Sequence, residues 1–332
     1  MNGSKQSFLI QYSRTDRKRK RQCVLFYKRK KQYGLTNMNR RIFQMKLYTI
    51  MLKNTELICV QKDNGRLYRL SDMGLDYKDM NELIENITEQ EKELIKTFDA
   101  ANSMTSYSAD EVKVCAPIQP NHDVICLGVN YKEHIDETSH IEDFQNKQAA
   151  VYFSKRVSFA SGSGDIIPNY DFVDSLDYEV ELGVILGKTL KNCTPAEAAA
   201  AIFGYTVIND VSARNLQFRH KQWFRGKSLD GYTPIGPCIV TADEIDDVQS
   251  LGITCWVNGE LRQNSNTRLM ITPVIEAITE LSQGMTLEAG TVIATGTPGG
   301  VAMGMKPPVY LKSGDVVECE IENIGKLINI VG

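Results

Sequence analysis

The sequence predicts a mixed α/β protein that is mostly β, and three observations carry that prediction. Apolar and polar residues alternate at period two in many short stretches. Gly, Pro and Asn-Gly turns separate those stretches. Long helical patterns do not alternate regularly with them, which disfavours a doubly wound parallel sheet. The 332 residues are 42% hydrophobic and 24% charged, an ordinary globular balance with material for a sizeable core.

The chain opens on a segment unlike the rest. Residues 1–44 hold 13 Lys or Arg against one acid, Asp16, whereas residues 45–332 hold 25 basic and 40 acidic residues. The runs "RTDRKRKRQ" and "YKRKKQ" have the composition of a nucleic-acid arm or an organelle-targeting peptide, without the apolar stretch of a secretory signal. No sustained periodicity precedes Met45, where a strand pattern begins. The expectation is a basic leader that is either a disordered tail or an artefact upstream of a natural start at Met45. Nucleic acid is not an expected partner, because the acidic body opposes a polyanion. Nor is a membrane, since no apolar run approaches the ~18 residues of a span. Eight scattered cysteines without a C-x-x-C pair read as free thiols of a reducing, cytoplasmic compartment. With four scattered histidines, a zinc site of finger type is not expected.

Residues 45–113 read as a small α+β module. "ELICVQKDNGRLYRLSDM" is two apolar runs around Asn64-Gly65, a strong hairpin signal. Met80, Leu83, Ile84 and Ile87 stand at helical spacing, followed by a second helix with Leu94, Ile95 and Phe98. "TSYSADEVKVCAPIQPNH" reads as the link to the main body, residues 114–332. There "DVICLGVNY" is a strand ending at Gly128, and "YKEHIDE" starts a helix. "TPAEAAAAIFGY" reads as one helix, with Thr194 as N-cap and Pro195 at its first position. "CWVNGELRQ" is a hairpin around Asn258-Gly259. "ITPVIEAITELSQG" is a helix closed by Gly284, and "GDVVECEIENIGKLINIV" ends the chain as a strand pair.

"SLDYEVELGVILGK" raises the chemical question. Asp177, Glu179 and Glu181 alternate with Tyr178, Val180 and Leu182, so an apolar strand face is opposed by three carboxylates. Residues i and i+2 lie ~6.6 Å apart along a strand, where two carboxylates repel by ~2.5 kcal/mol at an effective dielectric near 20. An exposed face dissipates that repulsion into water. A divalent cation also removes it, and hard cations prefer oxygen donors. A third candidate ligand, Asp210, follows the strand Tyr205 to Ile208 in "GYTVINDVSARNLQ".

Taken in order, the E-x-E pair, "INDVSARNLQ", "GKSLDGYTPIGP", "VNGELRQ" and "ATGTPGGV" resemble the fumarylacetoacetate hydrolase family. In detail the chain is similar to bacterial two-part members, with a small N-terminal module before the catalytic domain. The likeness runs from about Val114 to the C-terminus and leaves residues 1–44 without a counterpart. It implies a mixed β-sandwich roll, a homodimer and a divalent metal, Mg²⁺ or Mn²⁺ with Ca²⁺ as a further candidate. Glu179, Glu181 and Asp210 match the family's ligands. Asp177 matches none and is expected behind the ligands or at the surface. Lys227 matches the family lysine beside the metal. His134 and Glu137, neighbours at i and i+3, match a dyad that closes over the metal and acts as base. Gln217 and Thr297 match substrate contacts, Thr297 together with nearby backbone N–H groups on a substrate carboxylate. His122, His140 and His220 match nothing. "ATGTPGGVAMG" lacks the G-K-[ST] of a phosphate loop, so nucleotide binding is not expected.

The resemblance implies a keto-acid substrate. The metal would act as Lewis acid while a C–C or C–H bond breaks. Three readings follow. One is cleavage of a C–C bond in a 1,3-dioxo or α-keto diacid, of acylpyruvate hydrolase or oxaloacetate decarboxylase type. The second is enol–keto isomerisation of a 2-hydroxymuconate-type dicarboxylate, as in aromatic compound breakdown. The third is a non-catalytic binding protein on the same fold, against which all five metal and dyad residues are retained.

Overall fold

The computed structural model describes residues 45–100, 105–138 and 151–332. The expectations for residues 1–44 and for His140 lie outside the described residues. Strand β1 (Lys46–Leu52) turns through Lys53 and Asn54, both at positive φ, into β2 (Thr55–Gln61). The Asn64-Gly65 turn leads to β3 (Leu67–Arg69), with the Gly65 N–H bonded to the Lys62 carbonyl at 2.8 Å. Helices α1 (Met80–Asn86) and α2 (Glu89–Thr97) follow, capped by the side chains of Asp79 and Thr88. Then come β4 (Lys113–Val114), β5 (Val124–Gly128), α3 (Lys132–Glu137), β6 (Val151–Lys155) and β7 (Ile166–Ile167).

The second half continues with β8 (Leu176–Asp177), β9 (Val180–Leu186), α4 (Pro195–Ala201), β10 (Ile202–Asn209) and β11 (Ser212–Ala213). Two short helices, α5 (Arg214–Arg219) and α6 (Phe224–Lys227), precede β12 (Ile235–Thr241). The hairpin of β13 (Gly252–Val257) and β14 (Glu260–Asn266) turns at Asn258 and Gly259, both at positive φ as a type I′ turn requires. Helix α7 (Val274–Leu281), β15 (Val292–Ala294), β16 (Val316–Ile321) and β17 (Gly325–Val331) complete the chain.

The architecture is mostly β, as the sequence predicts. A ten-stranded sheet runs β3-β2-β1-β12-β10-β9-β15-β5-β6, with β4 also paired to β1, and a five-stranded sheet runs β14-β13-β16-β17-β7. Pairing of β1 with β12, Leu47 opposite Ile239, carries the large sheet across from residues 45–113 into the main body. Strands β9 and β10 are buried along their whole length, so their near-continuous apolar run is that of a strand covered on both faces.

Two elements differ from the sequence prediction. The helix expected over "TPAEAAAAIFGY" stops at Ala201. Its start is as predicted, with a capping box between Thr194 and Glu197. From Ile202 the β-branched and aromatic residues pair with β9 instead, and burial in a central strand outweighs one more helical turn. The strand expected over residues 175–188 is spliced in two. Asp177 belongs to β8, which pairs with β11 as a separate two-stranded sheet. Glu179 lies at the splice, its N–H on Asn209 Oδ1 at 3.0 Å.

Candidate active site

The antiparallel register of β9 and β10 brings distant acids together. Val180 pairs with Asn209 and Glu181 with Ile208, so Asp210, one residue past β10, falls beside Glu179, one residue before β9. The Asp210 N–H bonds the Glu179 carbonyl at 2.8 Å. Carboxylate oxygens of Glu179, Glu181 and Asp210 all lie within 4.8 Å of one another, at exposures of 4%, 1% and 0%. Such crowding of buried like charges is stable only with cations at hand.

Three cations are built into the chain. Lys227, buried on α6, places Nζ 2.6 Å from Glu179 Oε2 and 2.7 Å from Asp210 Oδ2. Lys155 at the end of β6 is fully buried, bonding Asp210 Oδ1 and the Tyr232 carbonyl, the latter at 2.7 Å. Arg214 on α5 lies 2.6 Å from Glu179 Oε1 and 2.9 Å from Asp177 Oδ2. Burial alone would raise the Glu179 carboxyl, but Lys227 and Arg214 outweigh it and hold it down at about 2. Lys227 is likewise kept protonated against burial by Asp210 and Glu179. Glu181 has a different lot. Burial, then the Asp210 and Glu179 charges, push its carboxyl well above 4.5, opposed by Lys227 and by a 2.8 Å bond from the Gly296 N–H.

Asp177 is not at the surface. It is fully buried, and its carboxylate accepts the Arg214 Nε–H and the N–H groups of Ala302, at 2.8 Å, and Met303, at 3.1 Å. It therefore ties α5 to the glycine-rich segment 296–304 and stands outside the triad.

The donor set fits a hard divalent ion. It is all carboxylate oxygen, with no thiolate or imidazole in the triad, which suits Mg²⁺, Mn²⁺ or Ca²⁺ over Zn²⁺ or Cu²⁺. Without an ion, the folded chain holds a proton on Glu181 at pH values where the unfolded chain has lost it. The Glu181 contribution to stability therefore falls as pH rises above 4.5. Ion binding must displace that proton. Calorimetric titration of the metal in buffers of different ionisation enthalpy should show proton release on binding, and affinity should weaken as pH falls. Binding without proton release would contradict the assignment of Glu181.

His134 and Glu137 meet on α3 as the i, i+3 spacing predicts, with Nδ1 2.9 Å from Glu137 Oε1. The other Glu137 oxygen accepts the Gly300 N–H at 2.7 Å. Gly300 is obligatory there: its φ is +101°, and a Cβ would stand 2.0 Å from the Arg262 carbonyl oxygen. Glu137 Oε1 thus accepts a hydrogen bond from Nδ1–H, which leaves Nε2 as the ring nitrogen that can take a proton.

A cavity is bounded by His134, Glu179, Glu181, Gln217, Lys227 and Thr297, with Phe153 and Trp223 as apolar walls. Asp210 and Glu137 lie behind that first layer. Arg214 Nη1 donates to Gln217 Oε1 at 2.9 Å, which turns the amide NH₂ into the group Gln217 offers a ligand. The Thr297 O–H is given to the Val180 carbonyl at 2.9 Å, and its oxygen accepts from Gln263 at 2.8 Å. In this arrangement Thr297 shapes the wall, and donors to a carboxylate there would have to be backbone N–H groups. Sequence reasoning missed Lys155 and Arg214. Arg214 stands three residues before Gln217, on the same helical face, a signal that could have found it. Lys155, at the end of "VYFSK", carries no such signal.

Comparison with known proteins shows the family. The fumarylacetoacetate (FAA) hydrolase C-terminal family model matches residues 123–332. Oxaloacetate tautomerase YisK of Bacillus subtilis (strain 168) is 45% identical over 228 residues, 68% of this chain and 75% of that protein. Fumarylacetoacetate hydrolase EaFAH from Exiguobacterium antarcticum superposes with a TM-score of 0.75 at 41% identity, covering 86% of this chain and 99% of the other. A 2-hydroxyhepta-2,4-diene-1,7-dioate isomerase from Mycobacterium marinum gives a TM-score of 0.64 at 28% identity, covering 86% and 98%. With the acid triad, the dyad and the glycine-rich segment in one site, and with these relatives, the chain belongs to the fumarylacetoacetate hydrolase family of enzymes.

Proposed function

We propose that the protein is a divalent-metal-dependent enzyme that interconverts the enol and keto forms of a small α-keto diacid of oxaloacetate type. One observation carries the choice. The base His134, the lysine and two of the triad acids, Glu179 and Glu181, line one cavity, and the third acid, Asp210, is held to that lysine at 2.7 Å. Enol–keto interconversion asks for a base and a cation beside the same oxygen, and it needs no nucleophilic water. The 45% identical relative carrying the name oxaloacetate tautomerase supports the same reading.

Glu179, Glu181 and Asp210 would hold the ion, which supplies Lewis-acid polarisation of the keto-acid oxygens. His134 Nε2 takes the proton from the carbon next to the keto group, and Glu137 stabilises the imidazolium through Nδ1–H. Lys227 sets a positive charge beside the oxygen that gains electron density. The proton held by His134 then passes to the oxygen, giving the enol and the neutral base, and the reverse direction returns the same proton from oxygen to carbon through His134. Gln217 orients the acid through its amide NH₂.

Cleavage of a C–C bond in an acylpyruvate is the second reading, supported by the 41% identical fumarylacetoacetate hydrolase. It requires a water activated by the same base. Rates of enol–keto interconversion, oxaloacetate decarboxylation and acylpyruvate hydrolysis, measured with Mg²⁺ or Mn²⁺, separate the two. His134→Asn should slow interconversion by ~100-fold or more, with Glu137→Gln weaker because the imidazole remains. Acylpyruvate hydrolysis without metal-dependent interconversion would replace the first reading by the second.

A further inference from the structure

Val129 holds a backbone conformation that its residue type resists. Its φ is +59°, in the left-handed region where a β-branched residue is an outlier. The other described non-glycine residues at positive φ are Lys53 and the asparagines 54, 192, 258 and 323, and asparagine tolerates that region. Both neighbours of Val129 are held fast. Gly128 lies under the Trp223 indole, where a Cβ would stand 2.3 Å from a ring carbon. Asn130 is buried and donates to the carbonyls of Thr295, at 2.8 Å, and Thr272, at 3.1 Å. Its Oδ1 accepts the Thr272 N–H at 2.7 Å. Strain of this kind persists where the surroundings over-determine it, and it gathers at functional sites.

Glycine would take this φ without steric cost, so the valine side chain is what the position needs. That side chain packs with Trp223, Val301 and Met303, against Ile135. Ile135 follows His134 on α3, Trp223 leads into the helix of Lys227, and Val301 follows Gly300, the anchor of Glu137. The elements bearing the base, the lysine and the anchor of the dyad therefore meet at this small apolar cluster. Val129 also lies on the cavity wall with His134.

We propose that Val129 is a positioning residue, a strained wedge that fixes how far the His134 imidazole reaches into the cavity. This rests on the reading of His134 as the base. Val129→Gly and Val129→Ala should each lower kcat by ~10–100-fold, the cost of a misplacement of about 1 Å, with KM and metal affinity little changed. Glycine relieves the backbone and alanine does not, so Val129→Gly should melt no lower than Val129→Ala. The imidazole NMR signals of His134 should shift or broaden in both variants. Unchanged His134 signals would overturn the proposal. So would a wild-type rate in Val129→Gly beside a slow, unstable Val129→Ala, since loss would then follow stability alone. If the wild type turns over no oxaloacetate-type acid, the proposed function fails, and the His134 signals still decide the role of Val129.

Discussion

Glu181→Gln is expected to abolish the Mg²⁺ or Mn²⁺ response while leaving the metal-free protein at least as stable as the wild type. The amide keeps an oxygen for the Gly296 N–H and removes the carboxyl whose ionisation burial and the neighbouring acids oppose. Glutamine offers a neutral carbonyl oxygen where the wild type offers a carboxylate, which weakens the site's hold on a hard dication. Turnover should fall by ~10³-fold or more, the several kcal/mol a Lewis acid contributes. Thermal melts in EDTA and in excess metal test both halves. A metal-induced rise in Tm equal to that of the wild type would remove Glu181 from the ligand set.

The largest effect on stability is expected at Asp177, a residue whose pattern in the sequence allowed a place at the surface. Asp177→Ala leaves the Arg214 guanidinium, 2% exposed, without one of its two acidic partners. It also strands the N–H groups of Ala302 and Met303. Breaking a buried ion pair from one side costs about 3–5 kcal/mol, and denaturant unfolding should show a loss of that order. Asp177→Asn keeps acceptors for the backbone but no charge for Arg214, and should fall between. An Asp177→Ala variant within about 0.5 kcal/mol of wild type, as at an ordinary surface site, would contradict the clamp. Arg214 also holds Glu179 and Gln217, so the loss should reach activity as well as stability.

Local patterns in the sequence determined the mostly β class, the hairpins at Asn64-Gly65 and Asn258-Gly259, the capped start at Thr194, and the i, i+3 approach of His134 to Glu137. Each rests on residues a few positions apart, whose geometry follows from backbone sterics and a short hydrogen bond. Recognition of ordered motifs added Glu179, Glu181, Asp210 and Lys227 as one group, which composition and spacing could only suggest. The tertiary structure decided what depends on pairing between distant strands. The β9–β10 register set Asp210 beside Glu179, and the splice at Tyr178 and Glu179 turned Asp177 away from the triad towards Arg214. Pairing with β9 ended α4 at Ala201, because a strand's fate follows its neighbours and its burial more than its own propensity. Lys155 is the clearest case. In sequence it is one lysine among many, and only the fold shows it buried against Asp210, because charge in a protein interior is dictated by what surrounds it.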